Sequence, residues 1–358
     1  MGVLTGETRL QGESAMKAYF IMVWIATACL GFVLSGCGPR QQNDKKVVAY
    51  VAVDQNYSEP VLQAFSRKTG IEVLTVYDAE AAKTTGLVQR LIAEKGRPQA
   101  DVFWNGEFAQ TIQLKEKGVL ASYASPSAAD IPSMVRDPEN YWCGFAGRAR
   151  VLIINTKCVA PHEYPRSIRD LLDARWPAEK VALSYPVFGT AATHAAALYV
   201  AWGPDKAREF FEQLKARRIR IVPGNSVVRD LVVAGRAIWG VTDTDDAASA
   251  IARGAPVSVV FPDQDSGGLG TLMIPGTVAL IAGAPHGEEA KALIDYLLSR
   301  EVERQLVQSG WCHLPLRECG VKPLHIAVTG VKAMGLDLEA VYRAIERAKR
   351  EMAELFVQ

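Results

Sequence analysis

From residue 47 onward the chain alternates short apolar runs of strand length with segments of helical period. That alternation confines it to α/β folds in which crossovers join parallel strands. Residues 47–53 form the first run. Residues 58–68 follow as a helix, with Ser58 as N-cap and Val61, Leu62 and Phe65 on one face. Residues 71–77 read as the next strand and 85–95 as the next helix. A third strand, 100–104, precedes a helix over 107–117 that Gly118 stops. The middle of the chain repeats the plan, with strands at 148–155, 181–184, 237–242 and 257–261 and helices at 190–202, 205–216 and 226–234. On the strand 148–155, Arg148, Arg150, Leu152 and Ile154 share one face, and Ala149, Val151 and Ile153 share the other. The apolar run 271–281 suits a strand crossing between two units. Helices over 287–298 and 301–308 follow, and a charged amphipathic helix, 336–355, comes last. Two α/β units and a late crossing strand predict a two-lobed clamp. Ligands of open α/β sheets sit beyond the carboxyl ends of the strands, so facing lobes bring both sets of strand ends into one cleft.

The first 46 residues have another character. Residues 18–34 are uncharged and mostly apolar, follow Lys17, and end in Leu34-Ser35-Gly36-Cys37. These are the parts of a secretory signal. The closing tetrapeptide resembles the lipobox of bacterial lipoproteins, in which the Cys is lipidated and becomes the mature N-terminus. The other reading, a transmembrane anchor, usually needs about 20 apolar residues, more than this run supplies. Met16-Lys17 reads as the start, residues 1–15 as an upstream extension, and 37–46 as a lipidated polar tether. The expected place is the cell envelope, on the periplasmic or extracytoplasmic face of a membrane, anchored at Cys37.

About 320 residues remain after Cys37, too many for one ordinary core and suited to two domains. The net charge of +1 gives no field to attract nucleic acid or an acidic membrane surface. A monomer is expected. Of the six cysteines, Cys29 lies in the signal and Cys37 carries lipid. An even remainder in an exported chain permits two disulfides, and pairing of sequence neighbours, Cys312 with Cys319 and Cys143 with Cys158, is the expectation.

The sharpest chemical signal is Asp243, Asp245 and Asp246. Three carboxylates within four residues repel one another unless water, a cation or helix N–H groups offset them. Asp245 and Asp246 either cap the following helix or reach cargo. As ligands they suit a hard cation or an ammonium group, which makes them the candidate metal pair. Asp54-Gln55-Asn56-Tyr57 ends the first strand, with Asp54 as an acceptor, Gln55 beside it and Tyr57 as a wall, or else ordinary turn chemistry. Trp104-Asn105-Gly106-Glu107 ends the third strand. There Trp104 stacks on cargo or fills core, Asn105 stands beside it, and Glu107 is a cap or a ligand. Gly189-Thr190 opens a helix with small residues that let backbone N–H groups approach an anion, and Asn225 opens another of the same kind. Arg148 and Arg150 share a strand face, where they clamp an anion or form salt bridges with the aspartates. His194, on the helix after Gly189, reads as a packed or surface residue, and His313 beside Cys312 carries no functional signal either.

Several segments together resemble the extracellular solute-binding proteins of ABC importers, in the branch that contains the ferric-iron-binding proteins. They are Thr69-Gly70-Ile71-Glu72-Val73, Ala100-Asp101-Val102-Phe103-Trp104, Gly147-Arg148-Ala149-Arg150-Val151, Gly224-Asn225-Ser226-Val227 and Gly267-Gly268-Leu269-Gly270-Thr271-Leu272, in that order. The resemblance covers residues 47–328. It implies the type 2 periplasmic-binding-protein fold: α/β, two lobes, each a mixed sheet flanked by helices, with hinge strands between. On that fold residues 47–146 and 274–328 are expected in lobe one and 147–273 in lobe two; beyond the resemblance, 329–358 is expected as a C-terminal helix packing on lobe two. It also implies delivery of a small solute to an ABC permease, no chemistry on the ligand, no required cofactor, and a metal ion only as cargo. An anion or carboxylate-bearing cargo is expected near Gly189. Ferric members hold iron with two adjacent tyrosines after a lobe-two strand, and here Asp245 and Asp246 stand in their place. The cargo is therefore either a metal such as iron with a synergistic anion or a small zwitterionic or cationic compound. An exported hydrolase using Asp54 and Asp245 as an acid–base pair is the alternative function.

Overall fold

A computed structural model describes residues 45–78, 85–326 and 330–356. The signal segment and Cys37 lie outside the described residues. Strand β1 (Lys46–Val51) leads into helix α1 (Gln55–Thr69), β2 (Glu72–Tyr77), α2 (Thr85–Ala93), β3 (Val102–Asn105), α3 (Ala109–Glu116) and the short β4 (Leu120–Ala121). The long strand β5 (Cys143–Asn155) follows. After it come β6 (Val181–Ser184), α4 (Gly189–Trp202), α5 (Pro204–Arg217), β7 (Arg220–Val222), α6 (Asn225–Val233), β8 (Trp239–Asp243), α7 (Thr244–Ala252) and β9 (Val257–Val260). The chain then runs through β10 (Met273–Ile281), α8 (Gly287–Leu297), α9 (Arg300–Ser309) and α10 (Leu338–Leu355).

The strands form one path, β2-β1-β3-β10-β5-β8-β6-β7, with β4 on β10 and β9 on β5. Strands β1, β2 and β3 are parallel, as the crossovers require, and so are β6, β7 and β8. Antiparallel β5 and β10 join the two groups. The first half of β5, Cys143 to Ala149, pairs with β10, and its second half pairs with β8 and β9. The junction is tightly packed at two glycines. A Cβ at Gly147 would lie 2.8 Å from the Leu314 carbonyl, and one at Gly276 would lie 2.8 Å from the Trp311 ring.

The two faces of β5 separate as its alternation requires. Leu152 and Ile154 join one buried cluster, and Ala149, Val151 and Ile153 join another. Helix α1 starts three residues earlier than its sequence suggests, with Asp54 and not Ser58 at the N-cap position. Ser58 is fully buried in the first turn, and its hydroxyl donates back to the Asp54 carbonyl at 3.1 Å. Helix α10 packs on α4 and α5, where Tyr199 donates to Glu351 at 2.6 Å. It also reaches α3, where Lys115 meets Glu339 at 3.0 Å. Among the described residues no helix is long and apolar enough to cross a membrane.

The cysteines depart from the expected pairing. Cys143, Cys158, Cys312 and Cys319 are all free thiols. Cys143 opens β5 and Cys158 lies beyond its far end. A fully extended strand of that length separates them by about 40 Å, far outside the ~4.4–6.8 Å that a disulfide spans. Cys312 and Cys319 share one buried cluster but are not bonded.

Candidate functional site

The site lies at the carboxyl ends of β3 and β8 and at the starts of α4, α6 and α7. Asp243 ends β8 and holds the N-cap position of α7, where the helix start favours negative charge. It is buried and accepts three bonds. Arg150 Nη1 donates to Oδ1 at 2.7 Å, Thr190 Oγ1 to Oδ2 at 2.6 Å and Asn225 Nδ2 to Oδ2 at 3.0 Å. Thr190 stands in the first turn of α4 and Asn225 in the first turn of α6, and the two side chains also bond each other at 2.9 Å. One buried carboxylate thus ties three helix starts to β5.

The neighbouring aspartates are paired as well. Asp245 accepts from Arg148 Nη1 at 2.8 Å, and Asp246 accepts from Arg229 Nη1 at 3.0 Å. One ligand atom from each of Asp243, Asp245 and Asp246 lies within 4.8 Å of the others, the spacing of a cation site. Each carboxylate nevertheless has its own guanidinium, so the cluster is already neutralised by protein charge. Burial followed by the charges of Asp245 and Asp243 pushes Asp246 up to about 7, against the pull of Arg229. Burial is the largest single influence on Asp245 too, but the Arg148 charge and hydrogen bond, with smaller contributions, together outweigh it and hold that carboxyl below its usual range. Of the two sequence readings for Arg148 and Arg150, salt bridging to the aspartates is the one the structure shows.

Donors and acceptors are left over beside these pairs. Arg150 is 1% exposed, yet its Nε and Nη2 have no hydrogen-bond partner among the described residues. The same holds for Arg148 Nε and Asp245 Oδ1. Arg150 lines a small hollow with Ser184, Pro186, Ala191 and His194, next to the first turn of α4. A Cβ built at Gly189 or Gly224 meets nothing within 4 Å among the described residues, so both helix starts open onto free space. Buried donors without partners are costly, and a ligand acceptor offsets that cost.

The first group of parallel strands meets this cluster through Gly106. Arg148 Nη2 donates to the Gly106 carbonyl at 2.9 Å, and a Cβ at Gly106 would lie 4.0 Å from the Ala52 carbonyl. The ends of β1 and β3 are therefore contiguous with Arg148 and Asp245. Asp54 and Gln55 are exposed and line, with Tyr77 and Asp78, a hollow of about 350 Å³ at the ends of β1 and β2. Tyr57 is half-buried and packs against the buried cluster that includes Val51, Val61 and Phe65.

The open alternatives at the end of β3 resolve. Trp104 is fully buried and tilts against Phe145 with ring centroids 5.8 Å apart, so it fills core and cannot stack on cargo. Asn105 is fully buried beside it and donates to Thr111 Oγ1 at 3.3 Å. Glu107 caps α3, accepting from the Ala109 and Gln110 N–H groups at 2.8 and 3.0 Å. His313 is fully buried, and neither ring nitrogen has a partner among the described residues. Burial brings it down to about 4 in spite of the nearby Asp245 charge. Its backbone N–H bonds Gly147 O at 3.1 Å, and that long-range placement left no local signal in the sequence.

Residues 98–324 match the family model described as "Bacterial extracellular solute-binding protein". The chain is 27% identical over 269 residues to a Salmonella typhimurium periplasmic protein named for 2-aminoethylphosphonate binding, covering 74% of this chain and 75% of that one. It is 26% identical over 301 residues to iron uptake protein A1 of Synechocystis, covering 78% and 80%. Among solved structures, apo ferric ion-binding protein A of Pasteurella haemolytica superposes with a TM-score of 0.75 at 21% identity, covering 88% of this chain and 100% of that one. That likeness fixes the two-lobed periplasmic-binding-protein fold. The chain belongs to the family of bacterial extracellular solute-binding proteins. It is the solute-binding component of an ABC importer and not an exported hydrolase.

Proposed function

We propose that the cargo is a small zwitterion with a phosphonate, phosphate or carboxylate head and an amine, and not bare ferric iron. The carrying observation is the inventory of unpartnered groups. The aspartates that replace a tyrosine pair are each bound to an arginine, whereas Arg150 Nε and Nη2 and Arg148 Nε are buried donors without acceptors. An anionic head at the starts of α4 and α6 would take those donors and the helix amides. An ammonium group would take Asp245 Oδ1. The relative named for 2-aminoethylphosphonate is of this chemical class. Cargo bridging residues 47–146 plus 274–328 and residues 147–273 favours the closed clamp by its differential contacts, and the permease reads that closure. The C-terminal segment, 329–358, braces the clamp from the side. Cys37 carries lipid and tethers a monomer to the periplasmic or extracytoplasmic face of a membrane.

Calorimetric titration of the chain lacking residues 1–36 tests the cargo. The reading expects saturable binding of 2-aminoethylphosphonate and none of ferric citrate. Tight ferric binding without organophosphonate binding returns the aspartates to the role of metal ligands and ends the proposal.

A further inference from the structure

We infer that Phe188, backed by Tyr185 and flanked by Val227, is the apolar wall that reads the organic part of the cargo and separates organic phosphonates from inorganic phosphate. This inference rests on the anion-binding reading above and adds what lies next to the anion. Phe188 is 68% exposed and is the residue immediately before α4. Its ring meets Tyr185 edge-on, with centroids 6.0 Å apart and planes at 61°. Val227, in the first turn of α6, is 37% exposed. The Asn225–Thr190 bond of 2.9 Å ties the starts of α4 and α6 together, and Phe188 and Val227 belong to those two starts. Arg150, 1% exposed and with unpartnered Nε and Nη2 among the described residues, donates to both Thr190 and Asn225 at these starts.

An aromatic ring left in water beside a polar site costs free energy unless something apolar covers it. A short alkyl chain attached to the anion is placed to do so. Inorganic phosphate has no such chain and gains nothing from the wall. The ring is rigid, with few torsions to order on binding, so its contact carries little entropic cost.

The test is calorimetry of wild type and Phe188→Ala with 2-aminoethylphosphonate and with inorganic phosphate. Melting temperatures of the two proteins should agree, since the side chain is mostly in water. Two methylenes returned to water imply about a tenfold loss of 2-aminoethylphosphonate affinity in Phe188→Ala, with phosphate affinity unchanged and Phe188→Leu intermediate. Equal losses for both ligands would overturn the wall and make Phe188 a mere support of the helix start. Unchanged affinity for both would overturn it as well, and would leave the ring to the permease surface. If wild type binds neither anion, the anion reading itself fails along with the inference; if wild type binds both and only the variant result is wrong, the inference alone fails.

Discussion

Replacing Asp246 by Asn should change the pH dependence of stability in a defined direction. The folded protein holds the Asp246 proton up to about pH 7, whereas an unfolded aspartate releases it near 3.8. Between those values the folded state carries the extra proton, so stability falls as pH rises through this window and levels off above it. The full difference is on the order of 3 pH units, or ~4 kcal/mol as an upper bound. Two effects reduce it. The side chain keeps 17% exposure, and in the variant Arg229 loses its 3.0 Å partner while retaining Asp230 at 2.8 Å. A gain of roughly 1–3 kcal/mol for Asp246→Asn at pH 8, shrinking toward zero near pH 4, is the expected outcome. Urea unfolding of both proteins at steps from pH 4 to pH 8 reads it. The difference between the curves matters, because buried His194 and His313, brought down to about 3 and about 4, slope the other way at the acid end in both proteins. Parallel curves would show that Asp246 ionises normally and that the packing of three carboxylates does not govern its proton.

Other outcomes follow from particular contacts. Arg148→Met removes the guanidinium that ties Asp245 to the Gly106 carbonyl, so it should cost about 2–4 kcal/mol in urea unfolding and weaken cargo binding; wild-type values for both would remove Arg148 from that tie. In the native protein a thiol reagent should label Cys158, which is exposed, and reach Cys143, Cys312 and Cys319 only on unfolding, with no change in melting temperature on reduction. A drop in melting temperature on reduction would instead mean that Cys312 and Cys319 pair. Cys37→Ser should release the protein from the membrane fraction, and retention there would refute the lipid anchor.

Much of the fold was legible because it rests on local pattern. The strand–helix alternation, the two faces of the 148–155 segment and the apolar 271–281 run all follow from short-range periodicity, and each has its counterpart in β5, β10 and the parallel groups. The site was legible in part. Asp243, Asp245 and Asp246 stood out by spacing, and Arg148 and Arg150 by sharing a face. Their one-to-one pairing did not, because Arg229 comes from another helix and pairs only through tertiary packing. Trp104 was ambiguous for a similar reason, since position at a strand end says nothing of depth, and β10 and β5 cover it. The Cys143–Cys158 expectation failed because sequence proximity is a poor guide to distance when a long strand lies between. His313 and Phe188 carried no motif, and their interest comes from a buried ring without partners and an aromatic left in water.

Native mass spectrometry with metal analysis, on protein purified without denaturation from its own envelope, addresses the central claim most directly. A substoichiometric or full complement of a small organic anion, with no iron, is the result expected of a donor-rich cleft whose carboxylates are already matched by arginines. One iron per chain, retained through purification and lost on Asp245→Asn, would contradict it.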